Sequence, residues 1–554
     1  MKKLLLSMMS TAVMFTVSAA PAVNYFRRPK AKLLQSGWMF QRELNHTEYI
    51  KKNIAELEKN IPGQGMIFQI DVPPERCGKR NIRTNNIFGS PRVEYDDFKA
   101  DVENLKSTRF IKFTDNFISS GVSPGNVDWF SDSAWADVCH NFKVLARVAK
   151  NSGMKGIKID IEEYRKNRMW QFQPEKGKSL EETCRMIRQR GREFGKAIFS
   201  EFPDIHLLCY WWCSLAKVKN NPLQPERARY LVAPFVNGIY DVLPPTATIH
   251  EGNETHGYRS NNESEAYFQR VDLALDLMSF IDVDNVAKYR AQTRLAPALY
   301  IDPHFTERKN YWHNQLEPDL SRLGRAQMFK RNLQYALEIA DEYIWTWMER
   351  FSWMPSSHPA KTVVLDTIAP GLVREMDIIL RPEEYVAELK KQNVKMKNLL
   401  PNGSFDKVGK GRKIPGFTQW VNGKNGKVFQ ISKINGSNAA VLKDGKNGVL
   451  QAMIPAKPGE MYLVEADCYV KGVQKAGTAF LTVNWRDAKE NRHATHQRRR
   501  YDFCVDKDGS WEHGSVIVTA PDGAVKLEVL VTVNSGNTGN MIGIDNITVY
   551  RILK

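Results

Sequence analysis

The segment Gly156-Ile-Lys-Ile-Asp-Ile-Glu-Glu-Tyr164 decides the predicted fold, because it is typical of one strand of a parallel sheet with a charged inner face. Isoleucines at 157, 159 and 161 alternate with Lys158, Asp160 and Glu162, and successive strand side chains point to opposite faces. The isoleucines are therefore predicted to pack against outer helices while the charged residues point into a barrel. Burying a charged side chain costs free energy unless the charge is paired. This stripe of charged residues therefore indicates a functional site or a closed ion-pair network.

Seven further apolar, β-branched segments occur between about residues 32 and 357, and amphipathic stretches separate them. This alternation predicts a (β/α)8 TIM barrel over residues 32–375. An open doubly wound sheet is the alternative, although no glycine-rich dinucleotide fingerprint follows any predicted strand. The other predicted strands are 33–40, 66–72, 110–117, 206–212, 246–251, 297–302 and 343–349.

The composition changes after a polar helical linker predicted at residues 376–397. Residues 398–554 are rich in Gly, Asn, Val and Thr, and their short β-prone runs are separated by Asn-Gly, Asp-Gly and Ser-Gly turn signals. This pattern predicts an all-β jelly-roll sandwich as a second domain.

The amino-terminal segment and the net charge limit the kinds of partner that we expect for this protein. Lys2 and Lys3 precede an apolar run over 4–17 and then small residues, which favours a signal peptide at residues 1–20 over a single membrane anchor. We expect export to the periplasm or the exterior, with no integral membrane segment after cleavage. The formal net charge of +17 permits an acidic partner. Export excludes nucleic acid, which leaves an anionic polysaccharide as one candidate.

Carboxylates near the predicted strand ends are candidates for glycoside hydrolysis, which generally needs a protonated and an ionised carboxyl group on either side of the scissile bond. Glu162, at the top of the fourth strand, is the predicted general acid. Glu251 is the leading candidate for its partner, because its neighbours His250 and Gly252 suggest a close-packed polar turn. Glu254, Asp302 and Glu349 remain open as alternatives.

Aromatic and polar residues at the other strand ends supply candidate sugar contacts, because barrel active sites lie at the carboxyl ends of the strands. Flat rings stack on the apolar faces of pyranoses. Lys112 shares a face of the predicted third strand with Asn116, from which it could pair with Asp160. The predicted substrate-binding residues are Trp212, Trp345, Trp347, Asp71, Asn116, Asp302 and Glu349.

The carboxy-terminal region resembles carbohydrate-binding modules of the family 4, 9 and 16 type. The resemblance is carried by Asn398-Leu-Leu-Pro-Asn-Gly-Ser-Phe-Asp406, by Gly416-Phe417 with Trp420, and by Ile544-Asp-Asn-Ile-Thr-Val-Tyr550. It implies a carbohydrate-binding β-sandwich. It also implies a structural calcium ion with Asn402, Asp406 and Asp545 as contributors, since hard oxygen ligands suit calcium. No cofactor is expected for catalysis.

The barrel region resembles bacterial glycoside hydrolase barrels, and the nearest local match is to family 18 chitinase-like enzymes. Their fourth strand carries a D-x-x-D-x-D-x-E series, of which Asp160-Ile-Glu162 fits the last two acids. The resemblance implies that Asp160 orients or polarises and that Glu162 protonates the leaving oxygen. Lys155 and Lys158 replace the earlier acids, a departure from the N-acetyl-assisted chemistry of that family.

Together these patterns predict an exported glycoside hydrolase that acts on a polysaccharide or oligosaccharide, with a binding module that holds it on the substrate. Two alternatives remain open. One is a non-catalytic carbohydrate-binding protein. The other is a polysaccharide lyase acting on an anionic glycan, in which Lys, Tyr or His would abstract the proton.

Overall fold

The computed structural model of the chain describes residues 31–38, 43–77, 82–164, 167–219, 230–307, 309, 311–355, 363–409, 413–421, 429–444, 447–472, 479–493, 499–503, 508–534 and 539–554. The predicted signal peptide at residues 1–20 lies outside these ranges. Within them, no helix is both long and apolar enough to cross a membrane.

A curled parallel sheet forms the centre of the first domain. In its described residues, nine strands are hydrogen-bonded in the order β7-β6-β5-β4-β3-β2-β1-β9-β8. They are β1 Lys32–Gln35, β2 Gly65–Phe68, β3 Phe117–Gly121, β4 Gly156–Asp160, β5 His206–Cys209, β6 Thr248–Glu251, β7 Thr293–Leu295, β8 Ala298–Tyr300 and β9 Tyr343–Trp347. A two-stranded parallel sheet, β10 Phe351–Ser352 and β11 Val363–Val364, follows.

The sheet approximates the predicted barrel, but the strand ladders of the described residues do not close it into a ring. Its two edge strands, β7 and β8, are consecutive in the chain, and the chain changes partner between them. Ala296 N–H donates to the Glu251 carbonyl of β6 (2.9 Å), whereas the Pro297 carbonyl accepts from Trp345 N–H of β9 (3.2 Å). Because proline has no N–H, one ladder cannot run through this point. The predicted seventh strand, 297–302, is therefore two short strands.

Helices cover the outside of the sheet, as its buried, apolar strands require. Leu180–Glu201 shows how the sequence sets one of them: Ser179 and Glu182 form a capping box at its start, and Ile187, Phe194 and Ile198 are buried along one face. The helices are Thr47–Asn60, Pro74–Cys77, Lys99–Ser107, Asp132–Asn151, Leu180–Glu201, Cys213–Lys219, Val232–Val242, Glu254–Arg259, Glu263–Ala274, Val286–Gln292, Asp302–Phe305, Tyr311–Leu323, Arg325–Ile339, Leu365–Ile368, Leu372–Leu380 and Pro382–Lys391.

The third strand lies later in the chain than the sequence predicts. The backbone N–H groups of Ile111, Lys112 and Phe113 all donate to Glu58 Oε1 (2.8, 2.7 and 3.0 Å), so this segment is a loop tied to a helix end. Lys112 pairs with Asp377 at 2.8 Å, and its predicted pairing with Asp160 is wrong.

The second domain contains two antiparallel five-stranded sheets in its described residues, as expected for a β-sandwich. Their orders are β12-β15-β20-β17-β18 and β13-β14-β21-β16-β19. Alternate residues of β17, such as Leu481 and Val483, are buried in the core between the sheets. The strands are β12 Thr418–Val421, β13 Gln430–Ile434, β14 Ser437–Lys443, β15 Gly448–Pro455, β16 Met461–Lys471, β17 Ala479–Arg486, β18 Arg499–Phe503, β19 Ser510–Thr519, β20 Lys526–Val533 and β21 Met541–Leu553.

Apolar packing and buried charge join the two domains. Met461 and Leu463 of β16 and Ile552 of β21 belong to the same buried cluster as the core of the first domain. Beside it, Arg331 of helix Arg325–Ile339 reaches Asp522 in the β19–β20 connection, with Nη1 at 2.6 Å from Oδ2. The segment predicted as a linker, 376–397, includes helix Pro382–Lys391, whose Lys390 pairs with Glu465 at 2.6 Å.

We predict that Arg331→Ala lowers the free energy of unfolding by about 1–3 kcal/mol, because it leaves carboxylates and the Asn261 carbonyl without a buried donor. Arg322 contacts the same two carboxylates, Asp319 and Asp522, but its side chain is 51% exposed against 4% for Arg331. Arg322→Ala is therefore the matched control and should cost less than about 1 kcal/mol. Urea denaturation midpoints measure the stability of both variants. An equal loss of stability in the two variants would contradict the conclusion that burial makes Arg331 the more important residue.

Candidate functional site

The turn after β4 orients two acidic side chains at the carboxyl end of the sheet. Asp160 Oδ1 accepts from the backbone N–H of Glu162 (2.9 Å), and Asp160 Oδ2 accepts from the Tyr164 hydroxyl (3.1 Å). Lys158, one inward position earlier, is buried, with Nζ 4.3 Å from the centroid of the Tyr210 ring. Asp160 therefore fixes the turn from which the half-buried Glu162 projects.

A second turn, after β6, delivers Glu254 to the same end of the sheet. Gly252 packs against the end of β5, where a Cβ would lie 2.6 Å from the Cys209 carbonyl oxygen, so any other residue would collide with backbone. Asn253 follows in the left-handed region, with φ of 43°. Glu254 N–H donates to the Tyr210 carbonyl (3.3 Å), and the helix Glu254–Arg259 begins there.

Glu251, the sequence-predicted partner of Glu162, lies on the outer side of the sheet. Its side chain is fully buried, where Oε1 accepts from the Ser214 hydroxyl (2.6 Å) and from Asn253 N–H (3.2 Å), and Oε2 accepts from Ser214 N–H (3.2 Å). Burial raises its pKa to about 7 despite these hydrogen bonds. Strand alternation explains the position, since the preceding His250 points into the barrel. The structure thus brings Glu254, not Glu251, to Glu162.

The carboxylates of Asp160, Glu162 and Glu254 form one electrostatically coupled group, which we call the mouth cluster. Burial and then the charges of Asp160 and Glu162 raise the pKa of Glu254 well above its ordinary value, and Lys158 offsets this only in part. Burial and then Asp160 likewise raise the pKa of Glu162. At least one proton is therefore held in the cluster more strongly than by an isolated carboxyl group.

Aromatic rings lie directly beneath and beside the mouth cluster. Tyr210 and Trp345 stack with centroids 3.7 Å apart and planes 4° from parallel, and both are buried. Trp347, two residues further along β9, is half-buried and meets Tyr210 edge-on at 5.9 Å. Trp212 is fully buried. Of the three predicted tryptophans, Trp347 is thus the one with a ring surface open to a ligand.

Asp302 and Glu349 follow β8 and β9, beside the same end of the sheet. Asp302 is buried and accepts from the backbone N–H groups of Glu349 (2.9 Å) and Arg350 (3.0 Å), and burial raises its pKa to about 6. This bonding ties the end of β9 to the end of β8. Glu349 is exposed, and its Oε1 accepts from Trp347 Nε1 (3.3 Å).

The other two predicted sugar-contact residues are not joined to the mouth cluster. Asn116 immediately precedes β3 and is therefore at the opposite end of the sheet, where its Oδ1 accepts from Met66 N–H (3.0 Å). This corrects its prediction as a substrate contact and follows from the later start of β3. Asp71 follows β2 and pairs with Arg83 at 3.0 Å.

The outer face of the sheet β12-β15-β20-β17-β18 is a second candidate site, which sequence reasoning missed. Glu528 is fully buried on it, and its oxygens accept from Gln451, Asn484 (3.2 Å), Arg486 (3.2 Å) and Arg492 (3.3 Å). The cross-strand register places Trp420, Val449, Thr532, Phe480 and Asp502 in one row of this face. Trp420 is 60% exposed. Polar and aromatic residues at alternate positions of these five strands were the available signal.

The three residues suggested for a calcium ion each have hydrogen-bond partners in the protein, and the calcium ion stays a prediction. Asn402 donates to the carbonyls of Lys407 (3.1 Å) and Pro415 (3.0 Å) while its Oδ1 accepts from Lys407 N–H (2.9 Å). Asp406 accepts from Ser404 (2.7 Å). Asp545 accepts from Asn546 N–H (2.7 Å), and burial raises its pKa to about 6. Asp406 also accepts from Asn438 (3.2 Å), and after burial the charges of Asp467 and Asp406 contribute to the raised pKa of Asp545, so these carboxylates interact.

No family model matches the chain, and no curated protein matches it. Solved structures with local likeness are carbohydrate-binding modules and glycoside hydrolases. A family 16 carbohydrate-binding module is 19% identical, with 28% of this chain and 100% of that chain covered and a TM-score of 0.21. The CBM22-1-GH10 modules of xylanase 10B from Clostridium thermocellum are 16% identical, with 29% of this chain and 28% of that chain covered and a TM-score of 0.20. The enzymatically active domain of tailspike protein 4 of bacteriophage CBA120 is 20% identical, with 28% of this chain and 21% of that chain covered and a TM-score of 0.22. The chain thus spans less than a third of the latter two structures, and TM-scores this low carry no argument.

We predict that the pH dependence of stability identifies Glu251 as a buried structural acid. Its folded pKa of about 7 exceeds the ordinary value of 4.5, so its contribution is fully present below pH 4.5 and is lost as the pH rises toward 7. Relative to Glu251→Gln, the unaltered protein should lose about 3 kcal/mol over this interval. Chemical denaturation at several pH values measures the difference, and the exposed Glu349→Gln is the control. A difference that does not change with pH would contradict this role.

Proposed function

We propose that the protein is an exported glycoside hydrolase whose catalytic pair is Glu162 and Glu254, with Asp160 as a positioning residue. The observation that carries this proposal is the mouth cluster, in which burial and the charges of Asp160 and Glu162, from one turn, raise the pKa of Glu254, from another. Glycoside hydrolysis requires one carboxyl group that keeps its proton and a second that is ionised, and such a cluster separates two carboxyl groups in this way.

The roles follow from the directions of the pKa shifts. Glu254, whose pKa is raised further, donates its proton to the glycosidic oxygen as the bond from that oxygen to the anomeric carbon breaks. Glu162 is ionised, and it either takes a proton from the attacking water or bonds to the anomeric carbon itself. This reverses the role predicted for Glu162 from the sequence. Trp347 offers the ring against which a sugar packs.

The charge of the site favours an uncharged sugar at the point of cleavage. The mouth cluster and the exposed Glu349 are acidic, whereas the buried Lys158 is held beneath them against Tyr210. Carboxylates would repel a uronic acid or a sulfated sugar, and a lyase would need a basic group facing the substrate. The overall charge of +17 is therefore better assigned to surfaces away from the mouth cluster.

We propose that the β-sandwich binds the same polymer through its outer face around Trp420. An exposed tryptophan beside a row of hydrogen-bonding side chains offers both the stacking surface and the polar contacts that a sugar requires. Binding there would raise the local concentration of substrate at the mouth cluster without adding a catalytic contact.

We predict that Glu162→Gln and Glu254→Gln each lower kcat by about 100- to 10,000-fold, the range that a general acid or base contributes. Glu251→Gln is the matched control, because it lies three residues from Glu254 but on the outer side of the sheet, and it should stay near full activity. Reducing-end release from uncharged polysaccharides measures turnover. Unchanged turnover in Glu254→Gln would refute the pair, and an ultraviolet-absorbing unsaturated product would indicate a lyase.

We predict that Trp420→Ala weakens polysaccharide binding about tenfold, equivalent to roughly 1.4 kcal/mol, while kcat on short oligosaccharides is unchanged. Trp511→Ala is the matched control on the other sheet, where Trp511 packs against Tyr469 at 5.5 Å. Affinity electrophoresis of the full chain in polysaccharide gels measures retention. Equal retention of the Trp420 variant and the unaltered protein would exclude this face.

A further inference from the structure

Three potential metal ligands meet at the amino-terminal end of the barrel-like sheet, opposite the mouth cluster. His206 is the first residue of β5, His250 lies on the adjacent β6, and Glu342 immediately precedes β9. We call them the floor triad. Among the described residues, they are the one group of three or more His, Cys, Asp or Glu side chains whose ligand atoms converge closely enough to hold a metal ion.

The spacing of the three ligand atoms suits a first-row transition metal. His206 Nδ1 lies 3.0 Å from His250 Nε2, and Glu342 Oε2 lies 3.6 Å and 3.8 Å from these two nitrogens. The point equidistant from the three atoms is about 2.0 Å from each of them, which matches the Zn–N distance of about 2.0–2.1 Å and the Zn–O distance of about 2.0–2.2 Å.

Hydrogen bonds among the three side chains explain their convergence less well than a shared metal ion does. The two imidazoles can share one proton at 3.0 Å, but both distances to the carboxylate exceed hydrogen-bonding range. A divalent ion would engage all three lone pairs while both imidazoles stay neutral.

The position also suits a stabilising role. β6 and β9 flank the place where the chain changes partner between β7 and β8. A bond from His250 through an ion to Glu342 would bridge this break, and His206 would add β5 to the link. In barrel proteins the amino-terminal face is generally associated with stability and the carboxyl face with catalysis.

The triad is accessible and supported by packing. The His206 and Glu342 side chains are 23% and 34% exposed, so an ion can enter from solvent. The ring of His250 packs edge-on against Tyr343 at 4.7 Å, and Tyr343 in turn donates to Asp115 Oδ1 at 2.8 Å. Lys32 is already paired with Asp115, which limits its competition for Glu342.

We propose that His206, His250 and Glu342 form a structural site for a divalent transition metal ion of the zinc type, which fastens β5 and β6 to β9 across the break in the sheet. This site is independent of the proposed hydrolase chemistry. If no metal ion binds to the floor triad, the proposed hydrolase chemistry of the mouth cluster is unaffected. If the mouth cluster is not catalytic, the proposed metal site is unaffected.

The test uses the full chain, stripped with chelator and titrated with zinc chloride. Calorimetry should give about one zinc ion per chain, and zinc should raise the melting temperature in a concentration-dependent way, as expected for a ligand that binds the folded state. His206→Asn and Glu342→Gln should each weaken zinc binding more than about 100-fold, the upper range for loss of an outer-shell partner of a metal site. His140→Asn, on helix Asp132–Asn151, is the control and should bind zinc normally.

Cobalt(II) offers an independent readout, because its visible absorption reports imidazole coordination and should be absent in both variants. Absence of zinc binding by the unaltered protein would overturn the proposal, as would equal affinity in Glu342→Gln. Glu342 is partly exposed, so its variant should fold even if the histidine variants do not. Circular dichroism checks folding in each case.

Discussion

The stack of Tyr210 on Trp345 is the interaction on which the inside of the barrel-like sheet depends. Two large rings 3.7 Å apart fill the middle of the sheet, joining β5 to β9 across the interior. Lys158 lies over one of these rings, and the mouth cluster lies beyond it. The floor triad is on the other side. The aromatic layer therefore separates two polar groups, so that each can have its own charge and its own access to water.

Burial and mutual repulsion, rather than an unusual residue, make the mouth cluster chemically useful. Burial and the neighbouring charges make ionisation of Glu254 and Glu162 costly, so these two carboxyl groups hold a proton more strongly than isolated acids do. The positive charge of the buried Lys158 offsets part of the rise in the pKa of Glu254. The site thus combines an acid that holds its proton with an ionised neighbour, which is the requirement of the proposed reaction.

Sequence predicted the fourth strand well because its isoleucines alternate cleanly with charged residues. It failed where a tertiary contact replaced the ladder, as at residues 111–113, whose backbone N–H groups all donate to Glu58. It ranked Glu251 above Glu254 because of the neighbouring His250 and Gly252. The predicted end of this strand, residue 251, is the observed one, but alternation turns Glu251 to the outer face, and the turn that follows brings Glu254 to the mouth cluster. The floor triad joins residues 206, 250 and 342, and no local pattern reveals a meeting at that separation.

The change of partner at Ala296 and Pro297 has a consequence for how the first domain opens. Elsewhere each central strand is held by ladders on both sides, but here neither short strand has a full ladder on its second side. Local unfolding begins where the fewest backbone bonds must break. The edge strands β7 and β8 are therefore expected to open first, with the fastest amide exchange in the sheet, whereas β9 stays held by its ladder to β1.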